Sequence, residues 1–495
     1  MLTVVAGGAD NGSQLPTVAD TEAIARGFRR AWPSVIRALA GITGSLDDAE
    51  EYAAVAFERA AAHPGHIDDL AAWCVVAGRR AFVDDVRRAA VHRRITGELA
   101  RDNQGIGAMD PIADAADDGG PPGADGLDDR VALLFVACDE ALPPVGQMVL
   151  ALRLVCGLTV PQIAAHLGIQ DAAAAARLTR SKRALAAARG TFRLADDAER
   201  VSRLPMVLAC VAGMHTHGHR AALRPADATE DISAQALSIA DSLVTLYPAD
   251  TEVHGLRAVI RLGLARRPGR LDDQGVALPL DEVDRSRWDR TLIHAGLQDA
   301  AIAATRSGRF ALEAAIAGKH CVASDLERTD WATIETLYGE LLRRWPSPAV
   351  EVAALIARAH RLRFAPGNDD AGNDDAGNDD GGDRTCGGAG GRGAAAADGR
   401  DDHDETVTVV GVPASLVTTG PPADPQREVS RRLEHLVDHG PAYAARDASL
   451  ALADIDWHAG RRADAAARYA DLADLLDGPM RAFCLRRVRE ATPQG

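Results

Sequence analysis

Arg177, Arg180, Lys182, Arg183 and Arg189 follow a glycine turn at Gly168. Carboxylates are nearly absent around them: Asp171 is the only acidic residue between Ala141 and Leu194. Cations strung along one helix are suited to the phosphates of a duplex, and a cationic helix after a tight turn suits a major groove. The preceding stretch has the start and stop signals of a short first helix. Thr159 is placed to cap it, and Pro161 lies in its first turn, where a missing N–H costs nothing. Ile163, Ala164 and Leu167 share a face, and Gly168 can adopt the left-handed conformation that ends a helix. The pair reads as a helix-turn-helix. A second cationic set, Arg79, Arg80, Arg87, Arg88, Arg93 and Arg94, lies on the polar side of an earlier helix. No nucleophile–base arrangement and no phosphate loop is present, so the chain is not read as an enzyme.

The elements that must position these residues are all helical. Ile24, Phe28, Trp32, Val35, Ile36 and Leu39 recur at spacings of three and four. Ser45-Leu46-Asp47-Asp48 and Ile67-Asp68-Asp69-Leu70 read as helix starts, and Trp73, Val76, Ala77, Phe82, Val83 and Val86 as the buried side of the third helix. The expected organisation is an N-terminus at 1–20, a helical module at 21–98, a linker at 99–127 and the helix-turn-helix module at 128–194. A helical extension at 195–364, a low-complexity linker at 365–423 and a helical end at 424–495 follow. The second linker holds three Gly-Asn-Asp-Asp copies, starting at Gly367, Gly372 and Gly377; their spacing fits no EF-hand, and a solvated linker is the reading. Gly460, Ala465 and Tyr469 match the turn and second helix of a tetratricopeptide-like hairpin.

Over 495 residues the formal net charge is −16. Such a chain would repel nucleic acid in bulk, so any DNA contact must be local. The cysteines, Cys74, Cys138, Cys156, Cys210, Cys321, Cys386 and Cys484, are scattered and form no CxxC pair, so most are expected to be small buried hydrophobes. With no signal peptide and no membrane-length apolar run, the expected location is the cytoplasm. No cofactor is expected.

Two helical modules, the first ending in an arginine-rich helix and the second a helix-turn-helix, resemble an extracytoplasmic-function (ECF) RNA polymerase sigma factor. Asp128-Asp129-Arg130, Ala141-Leu142-Pro143-Pro144 and the stretch from Leu152 to Thr159 resemble the second module of a long ECF subgroup with a tetratricopeptide-like C-terminal extension. The stretch from Asp284 to Arg290, that from Leu312 to Ala317, Asp330-Trp331, Leu337-Tyr338 and Pro346-Ser347-Pro348 resemble signatures of that extension. The resemblance implies an all-α bacterial transcription initiation factor with core RNA polymerase and promoter DNA as partners. It implies that the helix carrying Asp48, Glu50, Glu51 and Phe57 docks on the polymerase. It also implies that Arg79, Arg80, Arg87 and Arg88 serve the −10 element, and that Arg177, Arg180, Lys182 and Arg183 serve the −35 element. The C-terminal helical domain would be a regulatory module that binds a further protein.

Two departures from the family pattern stand out. Ala172 to Ala176 is an alanine run where relatives place hydrogen-bonding side chains, which predicts low −35 specificity. Met214-His215-Thr216-His217-Gly218-His219 replaces another stretch; its alternation suits a strand or loop, and an exposed helix–helix loop without metal is expected. The charged residues around Trp288 read as an ion-paired structural corner. The alternatives are a degenerate sigma-like protein retained as an interaction scaffold, and a dimeric helix-turn-helix repressor.

Overall fold

A computed structural model describes residues 18–101, 127–167, 169–221, 231–365 and 424–491. Among the described residues the regular elements are all helical, as the periodicity predicts. In chain order they are α1 (Val18–Thr43), α2 (Leu46–Ala61), α3 (Leu70–Arg101), α4 (Asp129–Ala137), α5 (Pro144–Leu154), α6 (Val160–Leu167), α7 (Asp171–Arg189), α8 (Asp197–Ala221) and α9 (Ile232–Leu246). Then come α10 (Thr251–Ala265), α11 (Arg290–Ala303), α12 (Arg309–Val322), α13 (Trp331–Arg344), α14 (Pro348–Arg363), α15 (Pro425–His439), α16 (Ala442–His458), α17 (Arg462–Leu475) and α18 (Gly478–Ala491). The chain divides into two units, Met1–Asp272 with Glu282–Cys321, and Asp273–Asp281 with Val322–Gly495.

In the first unit, α1, α2 and α3 form a bundle. Ser45 caps α2 by accepting from the Asp48 amide, and Asp69 caps α3 by accepting from that of Ala72. The buried face of α3 differs from the expected one. Cys74, Gly78 and Ala81 face inward, while Val76 is 48% exposed. The cause is close approach: a Cβ on Gly78 would lie 2.8 Å from the Leu39 side chain, so small residues, not large ones, line this face.

The first bundle and the helices from α4 onward share one core. It runs from Val35, Ile36 and Leu39 through Leu133, Leu134, Phe135 and Leu150 to Val207, Val211, Ile239 and Leu256. Helix α8 lies against α4, α5 and α6, and Arg203 of α8 donates to the Phe135 carbonyl at 3.0 Å. The expected loop at Met214 to His219 is instead the last part of α8. His215 is buried, its carbonyl accepts from Ser233, and its ring packs where Gly263 leaves room. Burial pushes its pKa down to about 4. The side chains of His217 and His219, together with Gly168, Cys386 and the Gly-Asn-Asp-Asp copies, lie outside the described residues.

Helices α10 and α11 are joined by Asp299, a buried carboxylate of α11. It accepts from Arg257 at 2.7 and 2.8 Å and from Arg261 at 2.8 Å, and His254 stands 3.2 Å away. At the Trp288 corner, expected to be ion-paired, the arginines reach mainly for carbonyls rather than carboxylates. Arg285 donates to His320, Arg287 to Leu271 and Arg290 to Arg285, and Asp289 caps α11.

In the second unit each helix from α13 to α18 packs on the next. Val352, Leu355, Val429, Leu433, Ala444, Ala448 and Leu452 form its core. Gly460 turns α16 into α17 with φ of 77°, and Ala465 and Tyr469 are buried beside that turn. The guanidinium groups of Arg462 and Arg487 both pack on Trp457, 3.7 and 4.3 Å from its ring centroid.

Candidate nucleic-acid interface

Helix α6 begins with half of a capping box. The Gln162 carboxamide accepts from the Thr159 amide at 2.9 Å, and the Thr159 hydroxyl donates to the same oxygen. Thr159 therefore stands at the start of the helix, as predicted, but the side chain that satisfies an amide is Gln162. Pro161 lies in the first turn. Helix α7 starts at Asp171 and packs on α5 and α6 through Ala174, Leu178, Ser181 and Leu185. That inward stripe sets the outward one. Arg180 and Arg183 are exposed and Arg177 half-buried, spaced by three residues.

The other cations of this region are used within the chain. Arg189 binds buried Asp139 at 2.8 Å, and Arg203 reaches the same carboxylate. Burial alone would raise the Asp139 pKa, but Arg189 and Arg203 hold it below the usual range. Arg193 pairs with Glu199 at 2.6 Å, and that hydrogen bond above all brings Glu199 down to about 2. Lys182 is 10% exposed and stands 2.9 Å from both Asp47 and Glu50 of α2. Among the described residues Arg177, Arg180 and Arg183 form no ion pair, so the cationic face of α7 reduces to these three.

The residues assigned to polymerase docking divide in the same way. Glu51 is exposed and Asp48 half-buried. Phe57 is in the core, 4.9 Å from Phe28 between ring centroids and stacked on Trp32, so it presents no surface. Glu50 is 12% exposed and is taken by Arg153 of α5, whose Nε and Nη2 donate at 2.9 and 2.7 Å. The pairing of α2 carboxylates with α5 and α7 cations was not legible in the sequence, because the partners lie more than a hundred positions apart.

On α3, Arg79, Arg80, Arg87 and Arg88 are all exposed. Arg88 pairs with Asp85, one turn earlier. The six described cysteines are buried as free thiols. Among the described residues no cluster of His, Cys, Asp or Glu converges as a metal site, and no helix is long and apolar enough to cross a membrane.

Residues 133–185, from α4 to α7, match the family described as sigma-70, region 4. Residues 203–304, from α8 to α11, match a family of unknown function (DUF6596). An uncharacterized protein of Rhizobium meliloti (strain 1021) is 34% identical over 336 residues, or 67% of this chain and 78% of that protein. The chain belongs to that protein's family. Its region-4 domain makes it sigma-factor-like, with a DNA-binding, helix-turn-helix role in transcription. The second match falls on the helices that carry the Asp299 node and the Trp288 corner. No solved structure matches the chain.

Proposed function

We propose that this chain is an ECF sigma factor. It binds core RNA polymerase, recognises −35 and −10 promoter elements and initiates transcription in the cytoplasm. The observation that carries the reading is the region-4 match over a helix-turn-helix whose second helix turns Arg177, Arg180 and Arg183 outward. These three contact the −35 element, joined by Lys182 once its α2 partners are exchanged for DNA. Arg79, Arg80, Arg87 and Arg88 hold the −10 strand by its phosphates. Asp48, Glu50 and Glu51 supply the carboxylates for the polymerase, with Phe57 supporting them from the core. The helical hairpins of α13 to α18, of tetratricopeptide-like kind, form a regulatory module that takes a protein partner. The protein acts without a cofactor and is not an enzyme.

A second reading has one observation in its favour. The start of α7, where base-edge contacts belong, is the alanine run Ala172 to Ala176, which offers no hydrogen-bonding side chain. A sigma-like chain that has lost base readout would persist as an interaction scaffold. Reconstituted transcription separates the two. Purified core polymerase and this protein, on DNA from the region upstream of its own coding sequence, should give discrete run-off transcripts. These should vanish when Arg177 and Arg180 are replaced by Glu. Core binding with no transcript from any such template would favour the scaffold.

A further inference from the structure

The first helical module and the helix-turn-helix module touch through charges that the sigma-factor reading assigns to outside partners. Glu50 Oε2 accepts two hydrogen bonds from Arg153, and Oε1, which accepts no hydrogen bond, lies 2.9 Å from the Lys182 ammonium as an ion pair. Asp47 adds a second carboxylate to Lys182. Arg153 is itself fixed from the first module. Trp32 donates to its carbonyl at 3.1 Å, and its guanidinium lies 4.8 Å above the Trp32 ring. Further along the same seam Arg37 pairs with Asp129 at 2.8 Å, and the Phe192 amide donates to the Gly44 carbonyl at 2.8 Å. A carboxylate shared between an arginine and the ammonium of Lys182 is a fixed pairing, because removing either partner strands a half-buried charge.

We infer that Arg153 and Lys182 close the second module onto the first as an internal substitute for the polymerase. They occupy the Glu50 and Asp47 carboxylates, so core polymerase must displace them before it docks. This rests on the sigma-factor reading. Closure takes one group from each module: Glu50 of α2 is engaged, and the Lys182 ammonium faces α2 instead of DNA, while Glu51, Arg180 and Arg183 stay exposed. The composition marks the same place. In a chain that otherwise uses arginine, Lys182 and Lys319 are the only lysines, and one of them sits in this seam.

That rarity supplies the test. A water-soluble carbodiimide activates a carboxylate, the neighbouring amine displaces the activated group, and an amide forms while the reagent leaves as its urea. In the full-length free protein, peptide mass spectrometry should find Lys182 joined to Glu50 or Asp47 with loss of one water. Adding core polymerase should lower the yield of that linkage several-fold. Arg153→Met should lower it too, and should tighten core binding about ten-fold if the open form is about a tenth of the population. Helical circular dichroism reports whether the variant folds, and the wild-type linkage stands without it. No Lys182 linkage in the free protein would overturn the closed state. A linkage that persists unchanged in an isolated complex with core would overturn the competition. A linkage in the free protein with no core binding by either form would instead sink the sigma-factor reading, and the displacement with it.

Discussion

His458 stands between two carboxylates of the second unit. Its Nε2 is 3.0 Å from Asp281, its Nδ1 is 3.4 Å from Asp454, and these partners raise its pKa to about 9, Asp281 contributing most. A raised pKa means that the folded chain holds a proton the unfolded chain releases near pH 6.5. The stability this proton supplies is complete below pH 6.5 and is lost as pH rises through 9. The thermal midpoint of the second unit should therefore fall across that window, and His458→Gln should flatten the fall. An unchanged slope in the variant would assign the pH dependence elsewhere. His215 and His360 have the opposite sense. Burial lowers both to about 4, so their contribution is intact above pH 6.5 and declines as pH drops toward 4.

Asp299 of α11 holds the α10 arginines that also reach α9, so its effect belongs to the scale of elements. Arg257 and Arg261 come from α10, one turn apart, and also reach Asp241 of α9. Asp299→Ala would leave two half-buried guanidiniums with Asp241 alone and should destabilise the first unit by about 3 kcal/mol. A lowered urea midpoint at unchanged slope would register it, and a shift below about 0.5 kcal/mol would show that the node holds nothing together. The helices themselves were legible in the sequence, because caps such as Ser45 and Asp69 and the periodicity of α1 are local signals. The face of α3 was not, since burial there follows from the close approach that Gly78 permits, and apolar size pointed to Val76 instead. The end of α8 was misread for a related reason. Alternating histidines imitate a loop until His215 is seen filling the space beside Gly263. The cationic face of α7 was half legible: residue type located it, but only tertiary pairing tells Arg180 and Arg183 from Lys182 and Arg189.

At the scale of the whole molecule, an acidic chain of net charge −16 turns only a few arginines of α7 outward, and these are the proposed DNA face. Binding should be weak in bulk and strongly salt-dependent at the site. Arg180→Ala and Arg183→Ala should each reduce the slope of log affinity against log salt by about 0.9 for every phosphate that the arginine neutralises in the parent chain. Titration of promoter DNA at several salt concentrations measures this, and slopes equal to that of the parent chain would place these arginines off the DNA. The seam between α8 and the helices before it bears on how the protein is made. As the chain leaves the ribosome, α4 to α7 emerge with Leu133, Leu134 and Phe135 uncovered on one side, and the covering residues Val207 and Val211 are still to be translated. A nonsense or frameshift lesion between Leu194 and Arg203 would therefore release not a shorter working protein but a sticky fragment, a substrate for chaperones and proteases.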